Sequence, residues 1–212
     1  MGIRENIEEI RAKAKGALLL AVTKNVELPQ IIEAIEAGIT EIGESYVQEA
    51  KTKIPNLKSK FPNVRFHLIG HLQTNKVKTA LELFDVIQSV DSYHLAEEIS
   101  KRAVKPIEVF IEVNTSGEES KFGVAPEKAL ELFSRIAGLP NLRIAGLMTI
   151  GKYTDDENEA RACFSKLRTI RDQAGIGGLK LSMGMSHDYA LAIEEGSDII
   201  RIGEGIFGPR RI

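Results

Sequence analysis

The chain is poor in the residues that mark several functional classes. It has one cysteine, Cys163, which excludes an internal disulfide and a cysteine-rich metal site. Its four histidines show no metal-ligand spacing. No stretch approaches the roughly 20 consecutive apolar residues needed to cross a bilayer. Neither sign of charge dominates: 28 Lys and Arg stand against 30 Asp and Glu, so no overall positive field recruits nucleic acid. No segment is of low complexity, and no linker rich in Pro, Gly or Ser divides the chain. The opening MGIRENIEEIRAKAKG is charged throughout and lacks the apolar region of a signal peptide. It begins Met-Gly, but Asn6 stands where a myristoylation motif needs Ser or Thr. These absences point to a cytoplasmic protein with neither membrane nor nucleic acid as partner.

What the sequence does hold is a repeating pattern. Its 212 residues, 43% hydrophobic and 27% charged, suit one domain with a sizeable core. Residues 3–15 place Ile3, Ile7 and Ile10 at helical spacing. Short apolar runs then recur as strand candidates: Leu18 to Val22, Ile39 to Gly43, Arg65 to Ile69, Val86 to Val90, Ile107 to Val113, Ile144 to Ile150, Lys180 to Met183 and Asp198 to Ile202. Helical stretches separate them: from Pro29 to Gly38, then 45–60 (interrupted by Pro55), 74–84, 93–104, 126–137, 156–174 and 188–195. Parallel strands need crossovers, and eight strand–helix repeats predict a single (β/α)₈ barrel of the TIM type over residues 1–212, with an extra N-terminal helix. A doubly wound open sheet is the alternative. No GxGxxG follows the first strand, which weakens it.

Barrel active sites lie at the C-terminal strand ends. Lys24 follows the first, wholly apolar strand. An amine held against apolar walls loses its proton more readily, and the neutral amine is a good Schiff-base nucleophile. The plain alternative is a stem that snorkels to solvent. Ser186 follows strand seven, and Gly203 and Gly205 follow strand eight. Loops after these strands are the usual phosphate site of the fold, because backbone N–H groups converge there. The plain alternative for the glycines is a tight turn. A lysine across a barrel from a phosphate site fits a Schiff-base aldolase acting on a sugar phosphate, or a pyridoxal-phosphate protein.

Seven ordered motifs carry a resemblance: AVTKNV (21–26), GESYVQE (43–49), FHLIGHLQTNK (66–76), VNTSGEESKFG (113–123), GLMTIG (146–151), LSMGMSHDYALAI (181–193) and RIGEGIFGPR (201–210). Together they resemble the pyridoxal-phosphate homeostasis protein family, which looks like the N-terminal barrel of alanine racemase standing alone. The resemblance implies pyridoxal 5′-phosphate as cofactor. It implies that Lys24 carries the cofactor as a Schiff base and that Ser186 binds its phosphate. It further implies that Gly203 and Glu204 donate backbone N–H groups to that phosphate and that Arg201 faces the pyridine nitrogen. A cation there disfavours ring protonation and makes a poorer electron sink. Two positions depart from the family pattern. Ser45 replaces the usual Asn, and Glu204 replaces a frequent Thr. The Glu204 carboxylate is therefore expected to point away from the phosphate.

The implied function is to hold, buffer or deliver the cofactor without rapid turnover, with apo forms of cofactor-dependent enzymes as possible recipients and a monomer as the expected state. A racemase of low activity is the first alternative, although the opposing base supplied in that enzyme by a second domain has no obvious replacement; Tyr46 and Tyr189 stay open. The cofactor-free aldolase is the second. Of the remaining residues, His71 and His187 either line the pocket or bond to local backbone. His67 reads as structural, His94 as a surface residue and Cys163 as packing. Met183 and Met185 fill the mouth or core. Lys76 and Lys121 are candidate acceptors in release, and the loop Asn114 to Gly123 is a candidate mobile lid.

Overall fold

The computed structural model describes residues 2–209. Among them, eight parallel strands close a barrel in sequence order: β1 (Leu18–Val22), β2 (Glu41–Glu44), β3 (Arg65–Leu68), β4 (Val86–Val90), β5 (Ile107–Glu112), β6 (Leu142–Met148), β7 (Lys180–Ser182) and β8 (Ile199–Ile202). The β1–β8 pairing, which aligns Leu20 with Arg201, removes both sheet edges. The extra helix α1 (Ile3–Lys13) buries Ile3, Ile7 and Ile10. The crossovers are α2 (Leu28–Glu36), α3 (Val47–Lys60), α4 (Val77–Leu83), α5 (Tyr93–Arg102), α6 (Ala129–Ile136), α7 (Glu157–Gln173) and α8 (Tyr189–Glu194), and a short α9 (Glu204–Phe207) follows β8. The (β/α)₈ barrel with an extra N-terminal helix expected from the sequence is therefore the observed fold.

Three expected boundaries need correction. Ile39 falls in the turn that terminates α2, where Gly38 adopts φ +95° and Ile39 N donates to Ala34 O at 3.0 Å. That left-handed turn, which glycine takes without strain, delays β2 to Glu41. Strand β6 starts earlier, at Leu142, because Leu142 already pairs with Ile107. It also ends earlier, at Met148. Pro55 does not interrupt α3, which runs unbroken from Val47 to Lys60. Helix α9 was not expected from the sequence, and Arg210, the last residue of the seventh motif, lies outside the described residues.

Alternation along the strands sorts side chains into two layers. Outward residues such as Ile42, Phe66, Ile87, Val109, Leu147, Leu181 and Ile200 join the helices in the main apolar core. The barrel interior holds a smaller cluster of Leu20, Val22, Val86, Phe110, Met148 and Ile199. A Cβ at Gly43 would stand 2.3 Å from Leu20 Cδ2, so the absence of a side chain there makes room for the filling. The rest of the interior is polar. Glu41, His67, Gln88, Glu112, Ser182 and Arg201 are all buried, where a barrel of this type is ordinarily filled with branched apolar side chains. The sheet thus encloses an apolar half and a polar half, and the polar half leads to the mouth.

Candidate functional site

A cavity of about 480 Å³ opens among the C-terminal strand ends. Its lining brings together all six residues expected to bind the cofactor: Lys24, Ser45, Ser186, Arg201, Gly203 and Glu204. Each reaches the cavity through a locally specified turn.

Lys24 sits in the turn after β1, between two anchored neighbours. The Thr23 hydroxyl donates to Glu44 Oε1 at 2.7 Å. Asn25, at φ +59°, donates its backbone N–H to Glu49 Oε1 at 2.6 Å. The Lys53 ammonium, on α3, joins the two by donating to Thr23 O at 2.8 Å and to Glu49 Oε1 at 2.5 Å. It also lies 3.4 Å from Glu44 Oε1. Burial pushes the Glu44 carboxyl above its ordinary range, and the bonds from Thr23 and Lys53 oppose that rise. Buried charges of opposite sign, each hydrogen-bonded, thus fix the main chain on either side of Lys24.

The adjoining wall is built by β7 and β8; because β8 pairs with β1, the lysine expected across the barrel from the phosphate loops stands beside them, and a Cβ at Gly203 would lie 3.4 Å from Val22 O. Gly184 turns the chain at φ +93°, and a Cβ there would meet Ala192 Cβ at 2.6 Å. Buried Asp188 then accepts the Met185 N–H at 2.6 Å and fixes the turn that carries Ser186 and His187. The Ser186 hydroxyl oxygen accepts the Gly205 N–H at 3.1 Å, which joins the two turns. A Cβ at Gly205 would lie 2.9 Å from Ile202 Cγ2 and 3.5 Å from Ser186 Oγ, crowding the junction. Ser45 directly follows β2, the other neighbour of β1. A Cβ at Gly70 would overlap its carbonyl at 2.2 Å, so the loops after β2 and β3 approach closely only because residue 70 is glycine.

Arg201 is buried and donates to Thr149 O at 2.7 Å and to Ser182 Oγ at 2.9 Å. Burial lowers its guanidinium to about 10, while Asp188 and Glu112 favour the charged form. It therefore stays a cation and a pure donor at neutral pH. Glu112 also lines the cavity, and its Oε2 is buried without a hydrogen-bond partner among the described residues. Burial, reinforced by Asp91, pushes its carboxyl up to about 7 against the pull of Arg201.

Aromatic side chains frame the mouth. Tyr46, Phe122 and Tyr153 line the cavity and are among the large hydrophobic residues that stay exposed. Phe122 stacks on His71 with ring centroids 3.9 Å apart, and Tyr153 meets His187 edge-on at 4.9 Å. His71 and His187 both line the cavity, as does Met185, whereas Met183 is fully buried. Tyr189, Lys76 and Lys121 are not part of the lining. Lys121 donates to Gly151 O at 2.8 Å and pairs with Glu118. The loop from 114 to 123, expected as a lid, is tied through Asn114, whose amide donates to Glu118 O and Lys121 O. His94 is exposed and Cys163 is buried in α7, as expected. His67 is buried inside the barrel, outside the cavity lining, where it bonds both Glu41 and Gln88.

Lys53, Gln88, Glu112, Phe122 and Tyr153 were missed by sequence reasoning. For Gln88 and Glu112 the trace was a polar residue in a mostly apolar strand, a feature shared by Ser89 in β4 and Glu108 in β5. For Lys53 the only trace was a favourable Glu49–Lys53 spacing on α3.

A closed parallel barrel with a lysine after its first strand and a hydroxyl–glycine junction after its last two places the chain among the alanine racemase N-terminal domains, whose family description matches residues 2–211. Within that class it belongs to the pyridoxal phosphate homeostasis protein family. The protein of that name from Aquifex aeolicus is 44% identical over 202 residues, covering 92% of this chain and 88% of that one. PipY of Synechococcus elongatus, solved with PLP bound, is 33% identical with a TM-score of 0.88, covering 97% of this chain and 100% of that one. Alanine racemase from Corynebacterium glutamicum shares the fold at a TM-score of 0.80 and 17% identity, and the chain spans 61% of its length. Among the described residues, no helix is long and apolar enough to cross a membrane, and no cluster of His, Cys, Asp or Glu could hold a metal ion.

Proposed function

We propose that this chain is a pyridoxal 5′-phosphate-binding barrel that holds the cofactor as a Schiff base on Lys24 and buffers or delivers it within the cytoplasm. The observation that carries this reading is the one cavity whose lining collects Lys24, Ser186, Gly203 and Glu204, with Arg201 buried among them. The residues fit the cofactor. The volume lies in the range of small-molecule sites. The Ser186 hydroxyl, already accepting from Gly205, keeps its own hydrogen for a phosphate oxygen. The names of the relatives and the bound PLP in PipY support the same reading.

When bound, the cofactor supplies an aldehyde that captures amines and a ring that withdraws electrons. Lys24 is the residue whose amine would hold that aldehyde. Ser186 and the main chain at Gly203 and Glu204 would hold the phosphate, with the Glu204 carboxylate directed elsewhere. Ser45 takes a polar contact where the family usually has Asn. Arg201, fixed as a cation, disfavours a proton on the ring nitrogen and so restrains carbanion chemistry. The chain acts as a monomer and gives the cofactor to apo enzymes. Lys76 and Lys121, outside the lining, are not suited to receive it.

The test is incubation with L-alanine and, separately, D-alanine after loading with the cofactor. Spectral retention of the cofactor with no interconversion supports a holding protein. Rapid interconversion at low protein concentration overturns it in favour of a racemase, with Tyr46 and Tyr153 at the mouth as the bases to examine. A colourless protein that binds sugar phosphates instead overturns it in favour of the aldolase.

A further inference from the structure

The polar half of the barrel interior is one connected path. Arg201 Nη1 donates to Ser182 Oγ at 2.9 Å. Ser182 Oγ donates to Gln88 Oε1 at 2.7 Å. Gln88 Nε2 meets His67 Nδ1 at 2.9 Å, and His67 Nε2 meets Glu41 Oε2. The path enters from β8 and β7, crosses the barrel to β4, and ends on β3 and β2. All five residues are buried.

We propose that Ser182, Gln88, His67 and Glu41 are positioning residues that act through Arg201, fixing which of its N–H groups face the cavity. The proposal rests on the reading above, that Arg201 serves a pyridoxal-phosphate site. The direction of the path is forced from the arginine end. Arginine has only donors, so Ser182 Oγ must accept, and its one hydrogen passes to the Gln88 carbonyl oxygen. The Gln88 amide nitrogen then donates to His67 Nδ1, so His67 carries its hydrogen on Nε2 and gives it to the Glu41 carboxylate. Burial keeps the His67 imidazole below its ordinary pKa and therefore neutral, as the path requires. Reversing the amide would set two donors on Ser182 and leave the serine hydrogen without a place. With a cation at one end and an anion at the other, each link has one arrangement. The guanidinium, held also by Thr149 O at 2.7 Å, cannot turn without breaking the series.

The experiment compares wild type with Gln88→Met, Ser182→Ala and Ser182→Thr. First, nitrogen NMR is recorded on the cofactor-free protein. The expected result is a neutral His67 with hydrogen on Nε2 and resolved Arg201 guanidinium resonances in wild type, which average in Gln88→Met and Ser182→Ala and are restored in Ser182→Thr. Second, pyridoxal phosphate affinity and absorption maximum are measured. Gln88→Met and Ser182→Ala are expected to bind about tenfold more weakly with a displaced maximum, about 1.4 kcal/mol, and Ser182→Thr to recover both. In an Arg201→Lys background the Gln88→Met effect should vanish, because the two act as a unit. A lowered melting temperature with unchanged affinity and absorption, or a Gln88→Met effect that persists in the Arg201→Lys background, overturns the proposal. If wild type takes up no pyridoxal phosphate, the functional reading fails, and the NMR alone decides whether the path orients Arg201.

Discussion

Lys24 and Arg201, carried by the turn after β1 and by its paired strand β8, are supported in opposite ways. Around Lys24 the support is ionic and lies between sheet and helix: Lys53, Glu44 and Glu49 clamp the main chain at Thr23 and Asn25. Around Arg201 the support is a series of mostly neutral hydrogen bonds inside the barrel, and it grips the side chain itself. The difference matches two tasks. A residue whose amine must form and break a covalent bond is carried on a fixed main chain. A residue that must keep one charge in one place is fixed at the charge. The ionic support should therefore respond strongly to loss of a partner, and the inner path should respond through orientation.

The largest departure is expected from breaking the ionic support. Lys53→Met leaves buried Glu44 and half-buried Glu49 without their cation. Denaturant unfolding should show a loss of about 3 kcal/mol, the usual cost of stranding a buried charge. An unchanged midpoint would mean that the clamp contributes only solvated contacts.

Glu112 sharpens the comparison because it shares the interior with Arg201 yet lacks a partner for Oε2 among the described residues. Its folded carboxyl titrates near 7, above the ordinary 4.5. Between these values the folded state binds more protons than the unfolded chain, so this group weakens stability as pH rises through the window. The full effect, present above pH 7, is at most about 3 kcal/mol. Unfolding of the cofactor-free protein from pH 4 to 8 should show that Glu112→Gln removes this downward slope. Parallel slopes in the two proteins would contradict the assignment.

Ser186→Ala removes one hydroxyl from the phosphate wall. Equilibrium dialysis should show about tenfold weaker pyridoxal phosphate binding, on the scale of one charge-assisted hydrogen bond, with an unchanged absorption maximum. A displaced maximum would place Ser186 at the ring instead. The smallest effect is expected from Glu204→Thr, which restores the common family residue. Affinity should rise less than about threefold, because an exposed carboxylate is screened. A far larger gain would mean that the carboxylate faces the phosphate.

Much of the fold was legible because apolar residues recur in short stretches set off by polar or glycine residues, as at Leu18–Val22. The errors fell where backbone hydrogen bonds outrank composition: Ile39 is apolar yet closes α2, and Leu142 pairs before the apolar stretch begins. Lys24, Ser186, Arg201 and Gly203 were legible because a barrel fixes where strand ends go, and motif resemblance added their roles. Gln88, Glu112 and Lys53 were not. A polar residue within a strand does not announce whether it faces helices or the interior when both faces are largely apolar. The burial of a lysine such as Lys53 depends on carboxylates from another element, which no local pattern records.

The central claim is that Lys24 holds the cofactor covalently. Borohydride reduction of the pyridoxal-phosphate-loaded protein, followed by peptide mass mapping, tests it directly. The account predicts one reduced adduct, on the peptide containing Lys24, and its loss in Lys24→Ala. An adduct on another lysine, or retention of the adduct in Lys24→Ala, would contradict it.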